Sequence, residues 1–251
     1  SMDVKKLNLI TWEIESSILM PGLPEDIVVL NDMLYTSITM NADWSDGNLI
    51  VQINPDLDMI TESYEVGVGP GDLLVHDNEI YISRTYYDEN WNSFYGTSKI
   101  SASGEVINVN YGAGIACGGS LHLYQNNVFR TFNGGIAQLD ENLFIIEDTR
   151  IGNYDHLSIY SVEVIDEYIY FGLTDYNAPD DIKVVNAQGF EVASYIIDGS
   201  LPGDFAYVFK NDDCLSSPGD INEDNQVNIY DIISIVQYIL GNIDLSSDCS
   251  F

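Results

Sequence analysis

Residues 70 to 83 read Pro70-Gly71-Asp72-Leu73-Leu74-Val75-His76-Asp77-Asn78-Glu79-Ile80-Tyr81-Ile82-Ser83, and this stretch decides the fold. An apolar run, a polar turn at Asp77-Asn78-Glu79 and a second alternating run predict two short strands joined by a hairpin. The pattern recurs. Residues 24 to 37 (Pro-Glu-Asp-Ile-Val-Val-Leu-Asn-Asp-Met-Leu-Tyr-Thr-Ser) and 119 to 131 (Gly-Ser-Leu-His-Leu-Tyr-Gln-Asn-Asn-Val-Phe-Arg-Thr) repeat it closely, and 161 to 171 repeat it loosely. Residues 202 to 209 restart it without finishing.

Between the copies lies a second unit, a strand, a Gly/Asn/Asp/Ser turn and another strand, at residues 48 to 66, 98 to 109, 135 to 150 and 181 to 197. Residues 5 to 20 match this outer unit, so the chain opens in the outer half of a repeat and ends, at 202 to 209, in an inner half. A period of roughly 40 to 48 residues is the length of one four-stranded propeller blade. The expectation is an all-β, five-bladed β-propeller over residues 3 to 213, its last blade shared between N- and C-terminal strands so that no sheet edge stays open. A β-sandwich explains the strands but not the repeat.

Forty acidic residues against eight Lys plus Arg give a formal charge of −32. Such a surface repels nucleic-acid phosphates and anionic lipid, and leaves divalent cations as plausible partners. No apolar run approaches the ~18 residues of a membrane span, and no export leader opens the chain. Ser1-Met2 reads as a cloning remnant, so the missing leader says nothing about export. Cys214 and Cys249 bracket the last segment, a pair that would form a disulfide in an oxidising compartment; three reduced thiols, with Cys117, are the alternative.

After Pro218 the character changes. Gly219-Asp-Ile-Asn-Glu-Asp-Asn-Gln-Val-Asn-Ile-Tyr-Asp231 places oxygen donors at positions 1, 3, 5, 7, 9 and 12 of an EF-hand-type loop: Asp220, Asn222, Asp224, the Gln226 carbonyl, Asn228 and Asp231. Asn225 stands where the sharp turn needs a left-handed residue. Ile229, Ile232, Ile233, Val236, Ile239 and Leu240 follow on one helical stripe, ending at Gly241-Asn242. A calcium-binding loop-helix is expected over residues 214 to 251.

Two further constellations belong to the propeller. Asp26, Asp72 and Asp204 each stand two residues after Pro at the start of an inner strand, with Ser120 and Ser161 in the same place in the other repeats. In a propeller these starts converge near the axis. Trp44, Trp91 and Tyr176 lie beside Asp and Asn in loops between middle strands, on the same face, where they would offer flat platforms suited to a sugar ring. Packing between blades is the alternative for the aromatics, and turn formation for the Asp residues.

The residues around Leu34-Tyr-Thr-Ser37, Leu49-Ile-Val-Gln-Ile-Asn-Pro-Asp56 and Tyr64-Glu-Val-Gly-Val-Gly-Pro70 resemble the YVTN-type propeller repeat of secreted and surface-layer proteins. The loop from Gly219 to Asp231 with its single helix resembles one repeat of a type I dockerin, the calcium module that docks enzymes onto cohesins. These resemblances imply a secreted or cell-surface protein. Its tail would either bind a cohesin-like partner or dock on its own propeller. The function expected is a calcium-binding module taking a glycan or protein on the propeller face. One rival is a metal-dependent hydrolase or lactonase with a channel cation on Asp26, Asp72 and Asp204 and His156 as base. Another is a calcium-stiffened structural surface protein. No Gly-x-Ser-x-Gly elbow, phosphate loop or His-Glu-x-x-His is present.

Overall fold

The computed structural model describes residues 1–114, 120–207 and 226–240. The chain divides into two compact units, Ser1–Phe205 and Ala206–Phe251. Eighteen strands run through the described part of the first: β1 (Asp3–Leu7), β2 (Ile14–Leu19), β3 (Gly22–Leu30), β4 (Met33–Asn41), β5 (Asp46–Asn54), β6 (Met59–Glu65), β7 (Pro70–His76), β8 (Glu79–Tyr87), β9 (Ser93–Ile100), β10 (Val106–Ala113), β11 (Leu121–Tyr124), β12 (Asn127–Phe132), β13 (Gly135–Leu139), β14 (Ile145–Ile151), β15 (Ile159–Ile165), β16 (Tyr168–Leu173), β17 (Asp180–Val185) and β18 (Glu191–Ile197). They form five antiparallel sheets, β1-β2 and then β3 to β6, β7 to β10, β11 to β14 and β15 to β18, each in sequential order.

The hairpins form where the sequence places them. In the hairpin of residues 70 to 83, Leu73 pairs with Ile82 and His76 with Glu79. Asn31-Asp32, Asp77-Asn78 and Gln125-Asn126 each put two successive residues at positive φ, the two-residue turn whose twist matches that of the flanking strands. Asn and Asp tolerate this left-handed backbone better than other residues with a Cβ.

The core lies between sheets rather than inside any one of them. Tyr35, Ile50 and Val66 pack on Leu73, Ile80 and Ile82. Tyr81 packs with Leu121, Val128 and Leu139, and Tyr124, Phe129 and Ile136 with Ile159, Ile169 and Phe171. Val4 and Ile18 of the two-stranded sheet rest against Met20, Ile38, Val51 and Ile53. Alternating residues of one sheet therefore cover the facing residues of the next, as in stacked sheets generally.

Polar bonds tie neighbouring sheets at the same seams. The Thr39 hydroxyl donates to the Pro70 carbonyl at 2.6 Å, and the buried Arg130 guanidinium donates to the Gly96 carbonyl at 2.7 Å while lying 5.0 and 4.9 Å from the ring centres of Tyr95 and Tyr111. A buried cation held by neutral acceptors and π-faces replaces the ion pair usually expected there.

Five sheets match the expected blade number. The expected strand closure of the fifth is absent from the described residues: residues 201 to 207 form no ladder with β1. Pro202 has no N–H to give, and its carbonyl instead accepts the Ser161 hydroxyl of β15. Residues 208 to 213 lie outside the described part.

In the second unit, α1 (Ile229–Ile239) begins at Asn228, whose side chain accepts from the Tyr230 amide while the Asp231 carboxylate accepts from the Asn228 amide. This reciprocal cap satisfies two of the donors that every helix start leaves unpaired. The apolar stripe is present, with Ile229, Ile232, Ile233, Val236, Ile239 and Leu240 exposed. No helix of the described residues is long and apolar enough to cross a membrane.

Gly69 joins two blades at φ +70°, and a Cβ there would come within 1.9 Å of the Thr85 carbonyl oxygen. Gly69→Ala is expected to destabilise the protein by roughly 3 kcal/mol or more, read as a lower urea midpoint at unchanged slope.

Candidate functional site

The inner strands start around a cavity of about 840 Å³. Asp26 of β3, Asp72 of β7, Ser120 and His122 at β11, Ser161 and Glu163 of β15, and Asp204 all line it. The convergence expected from the repeat is thus present: the three aspartates and both serines reach one space. Glu25 and Asp46 add carboxylates, Thr39, Ser83 and Thr85 add hydroxyls, and Tyr86, Tyr87, Tyr160 and Phe205 add aromatic wall. Among the described residues no Lys or Arg lines it.

The three aspartates are not equivalent in their bonding. Asp26 Oδ2 accepts the Leu73 amide of the next blade at 2.7 Å and its Oδ1 accepts the Ile27 amide, so this carboxylate staples β3 to β7. Asp204 Oδ1 accepts the Phe205 amide at 2.7 Å. Asp72, open to the cavity and hydrogen-bonded to Ser83, has its pKa raised above the ordinary value by desolvation from the protein around it and by the neighbouring Asp26 and Glu25 charges. Glu163 is raised as well, by desolvation first and Asp204 among the further causes. Both are placed where the charged form is disfavoured, a condition met at functional sites more often than elsewhere.

Among the described residues no three of His, Cys, Asp or Glu converge closely enough to hold a metal ion. His156, the base of the hydrolase alternative, is half-exposed beside Asp155 and does not line the cavity. The histidine that does is His122. Buried, 3.0 Å from the Ser120 hydroxyl and 3.4 Å from Thr131, it is held at a pKa of about 4 by desolvation and by the nearby Arg130 charge. So low a basicity suits a hydrogen-bonding wall rather than a general base at neutral pH. Neither His122 nor Glu163 stands among the site residues that the sequence singles out. Counting by two along the strands from Ser120 and Ser161 reaches both, since residues two apart share a face.

Trp44, Trp91 and Tyr176 are 69%, 83% and 62% exposed. None packs between blades. Each stands at positive φ, +68°, +63° and +66°, a conformation costing a residue with a Cβ roughly 1 kcal/mol or more. Hydrogen bonds fix the two tryptophan turns: the Trp44 amide donates to the Asn41 carbonyl at 3.0 Å, and that of Trp91 to Asp88 at 2.9 Å. Tyr176 donates its amide to Thr174 Oγ1 at 2.8 Å. All three turns join second to third strands and open on the face where the inner strands begin. Trp91 lies 6.2 Å, ring centre to ring centre, from Tyr87 of the cavity wall.

Of the expected calcium loop, Asp220, Asn222 and Asp224 lie outside the described residues, as do Cys214 and Cys249. Its other three members sit together: Asn228 Nδ2 donates to the Gln226 carbonyl at 3.1 Å, and Asp231, buried, accepts from the Asn228 amide at 2.7 Å. These oxygen donors are of the hard kind calcium takes.

No protein-family model matches the chain, and no curated protein matches it in sequence. Solved structures do match its fold. Hydrazine synthase of Kuenenia stuttgartiensis is similar with a TM-score of 0.54 at 11% identity over 78% of this chain. Dihydro-heme d1 dehydrogenase NirN, solved in complex with DHE, gives 0.51 at 12% over 78%. The chain spans 60% and 43% of their respective lengths. The first unit is a β-propeller module.

The low pKa of His122 makes stability pH-dependent. Between pH 6.5 and 4 the unfolded chain binds a proton that the folded chain refuses, so stability rises with pH across that window and falls as pH drops through it, by roughly 3 kcal/mol in total at this position. His122→Gln is expected to flatten that part of the stability–pH curve, as measured by urea unfolding from pH 7 to 4.

Proposed function

We propose that this protein is a secreted or surface-attached binding module whose propeller face takes a glycan. The observation that carries this reading is the exposure of Trp44, Trp91 and Tyr176 at strained turn positions on the face of the polar cavity. A large ring held in a left-handed turn and left in water contributes little to folding; residues kept against stability in this way are commonly kept for function. Flat apolar rings beside Asn, Asp and Ser supply what a sugar needs, a face for its C–H groups and acceptors for its hydroxyls. Trp44→Ala and Trp91→Ala are each expected to weaken glycan retention by about tenfold while shifting unfolding stability by less than about 0.5 kcal/mol. Affinity electrophoresis through immobilised neutral polysaccharides, beside urea melts, reads both. Unchanged retention of both variants would remove the reading.

Calcium belongs to the tail in this reading. The Gln226 carbonyl, Asn228 and Asp231 are already gathered at the helix start, and Asp220, Asn222 and Asp224 would supply the remaining oxygens of the dockerin-like loop. Bound calcium would fold the segment, because one loop and one helix cannot bury an apolar face alone. Calorimetric titration of chelator-treated protein is expected to find one site, lost in Asp224→Ala. A site that survives the substitution would put a cation elsewhere.

A further inference from the structure

On the reading that the propeller face takes a glycan, we propose that the axial cavity selects for glycans carrying primary amines, so that the ligand is an amino-sugar oligomer with free ammonium groups. Carboxylates on a protein of charge −32 could be no more than a solvated wall. Two other observations give them a ligand.

The first is an aromatic track leading from the rim to the interior. Trp91 at the rim lies 6.2 Å from Tyr87 of the cavity wall, and Tyr160 and Phe205 line the same cavity as Asp72 and Glu163. A sugar ring stacked on Trp91 therefore lies beside the cavity whose wall carries these carboxylates. The second is how the carboxylates are spread. Asp26, Asp72 and Glu163 come from three separate strands, and among the described residues no three such groups meet at one point, so these do not form the cage a single metal ion requires. They suit a ligand that distributes several N–H donors along its length. With no Lys or Arg among the described lining residues, an ammonium there would meet carboxylates, hydroxyls and ring faces, all favourable to it. The same wall repels a uronic acid, so selection works by repulsion as well as attraction.

The desolvation that raises Asp72 and Glu163 is what a bound ammonium would relieve. A single flat acidic surface would attract polycations without this dependence on two interior positions.

The test uses the full chain and three soluble probes of equal length: a glucosamine oligomer, its fully N-acetylated counterpart and a uronic acid oligomer. At low ionic strength, calorimetry is expected to show the amine form bound at least about tenfold more tightly than the acetylated form, a gap that narrows as salt is added. The uronic acid should show no binding. In Asp72→Asn/Glu163→Gln, whose formal charge moves only from −32 to −30, the ratio of amine to acetylated affinity should fall to about one. Each single variant, expected to lose part of the preference, provides the same readout should the double variant fail to fold. Equal or tighter binding of the acetylated form by the native protein overturns the proposal and leaves the glycan reading standing. An amine preference that survives in the variants also overturns it, by locating the attraction on the outer surface. No binding of any oligomer brings down both.

Discussion

Apolar contact between the faces of successive sheets is the constraint on which the rest of the propeller depends. Each sheet is too small to bury its own side chains, so Tyr35, Tyr81 and Phe129 are covered only because another sheet follows. Rotation from one sheet to the next brings inner strands toward a common axis, where neither face can be covered further. The polar ends of those strands are left around the cavity for this reason. Asp26 shows how closely packing and site are joined, since the carboxylate that lines the cavity also accepts the Leu73 amide of the next blade.

Charge is arranged in shells. The surface is heavily acidic, the described cavity wall carries carboxylates and no Lys or Arg, and behind the wall lies a buried guanidinium, Arg130, bonded to neutral oxygens and enclosed by tyrosine faces. That fixed positive charge lowers the cost of Asp72 ionising and raises the cost of protonating His122. The cavity thus stays negative without a compensating cation of its own at its lining.

Much of this architecture could be read from the chain because the repeat is written in strand alternation and turn residues, which act locally. The hairpins at Asp77-Asn78 and its copies, the five sheets and the meeting of Asp26, Asp72, Asp204, Ser120 and Ser161 all follow from that repetition. The different duties of the three aspartates could not be read, because they depend on which amide of a neighbouring blade lies within reach. His122 is buried and hydrogen-bonded, yet it also reaches the cavity: an alternating strand tells which residues share a face, but only the assembled sheets tell whether that face meets another sheet or the axial space. The burial of Arg130 left no trace in local sequence, since its partners Gly96, Tyr95 and Tyr111 belong to a different repeat. Strand closure by residues 202 to 209 follows from the count of halves; of these, the described residues 202 to 207 form no strand, and the Pro202 carbonyl accepts from Ser161.

The turns between second and third strands differ in one respect from the rest of the repeat. Three carry a large ring, while the blade of β11 to β14 connects the same strands through the two-residue turn Asn133-Gly134. A face built of identical loops would offer a ligand several rotationally related poses of equal energy. Here one side of the rim is low, and that pseudo-symmetry is broken. An elongated molecule crossing the rim can distinguish its own two ends by where the low side falls, so a fold made by repetition can still impose a single direction on what it holds.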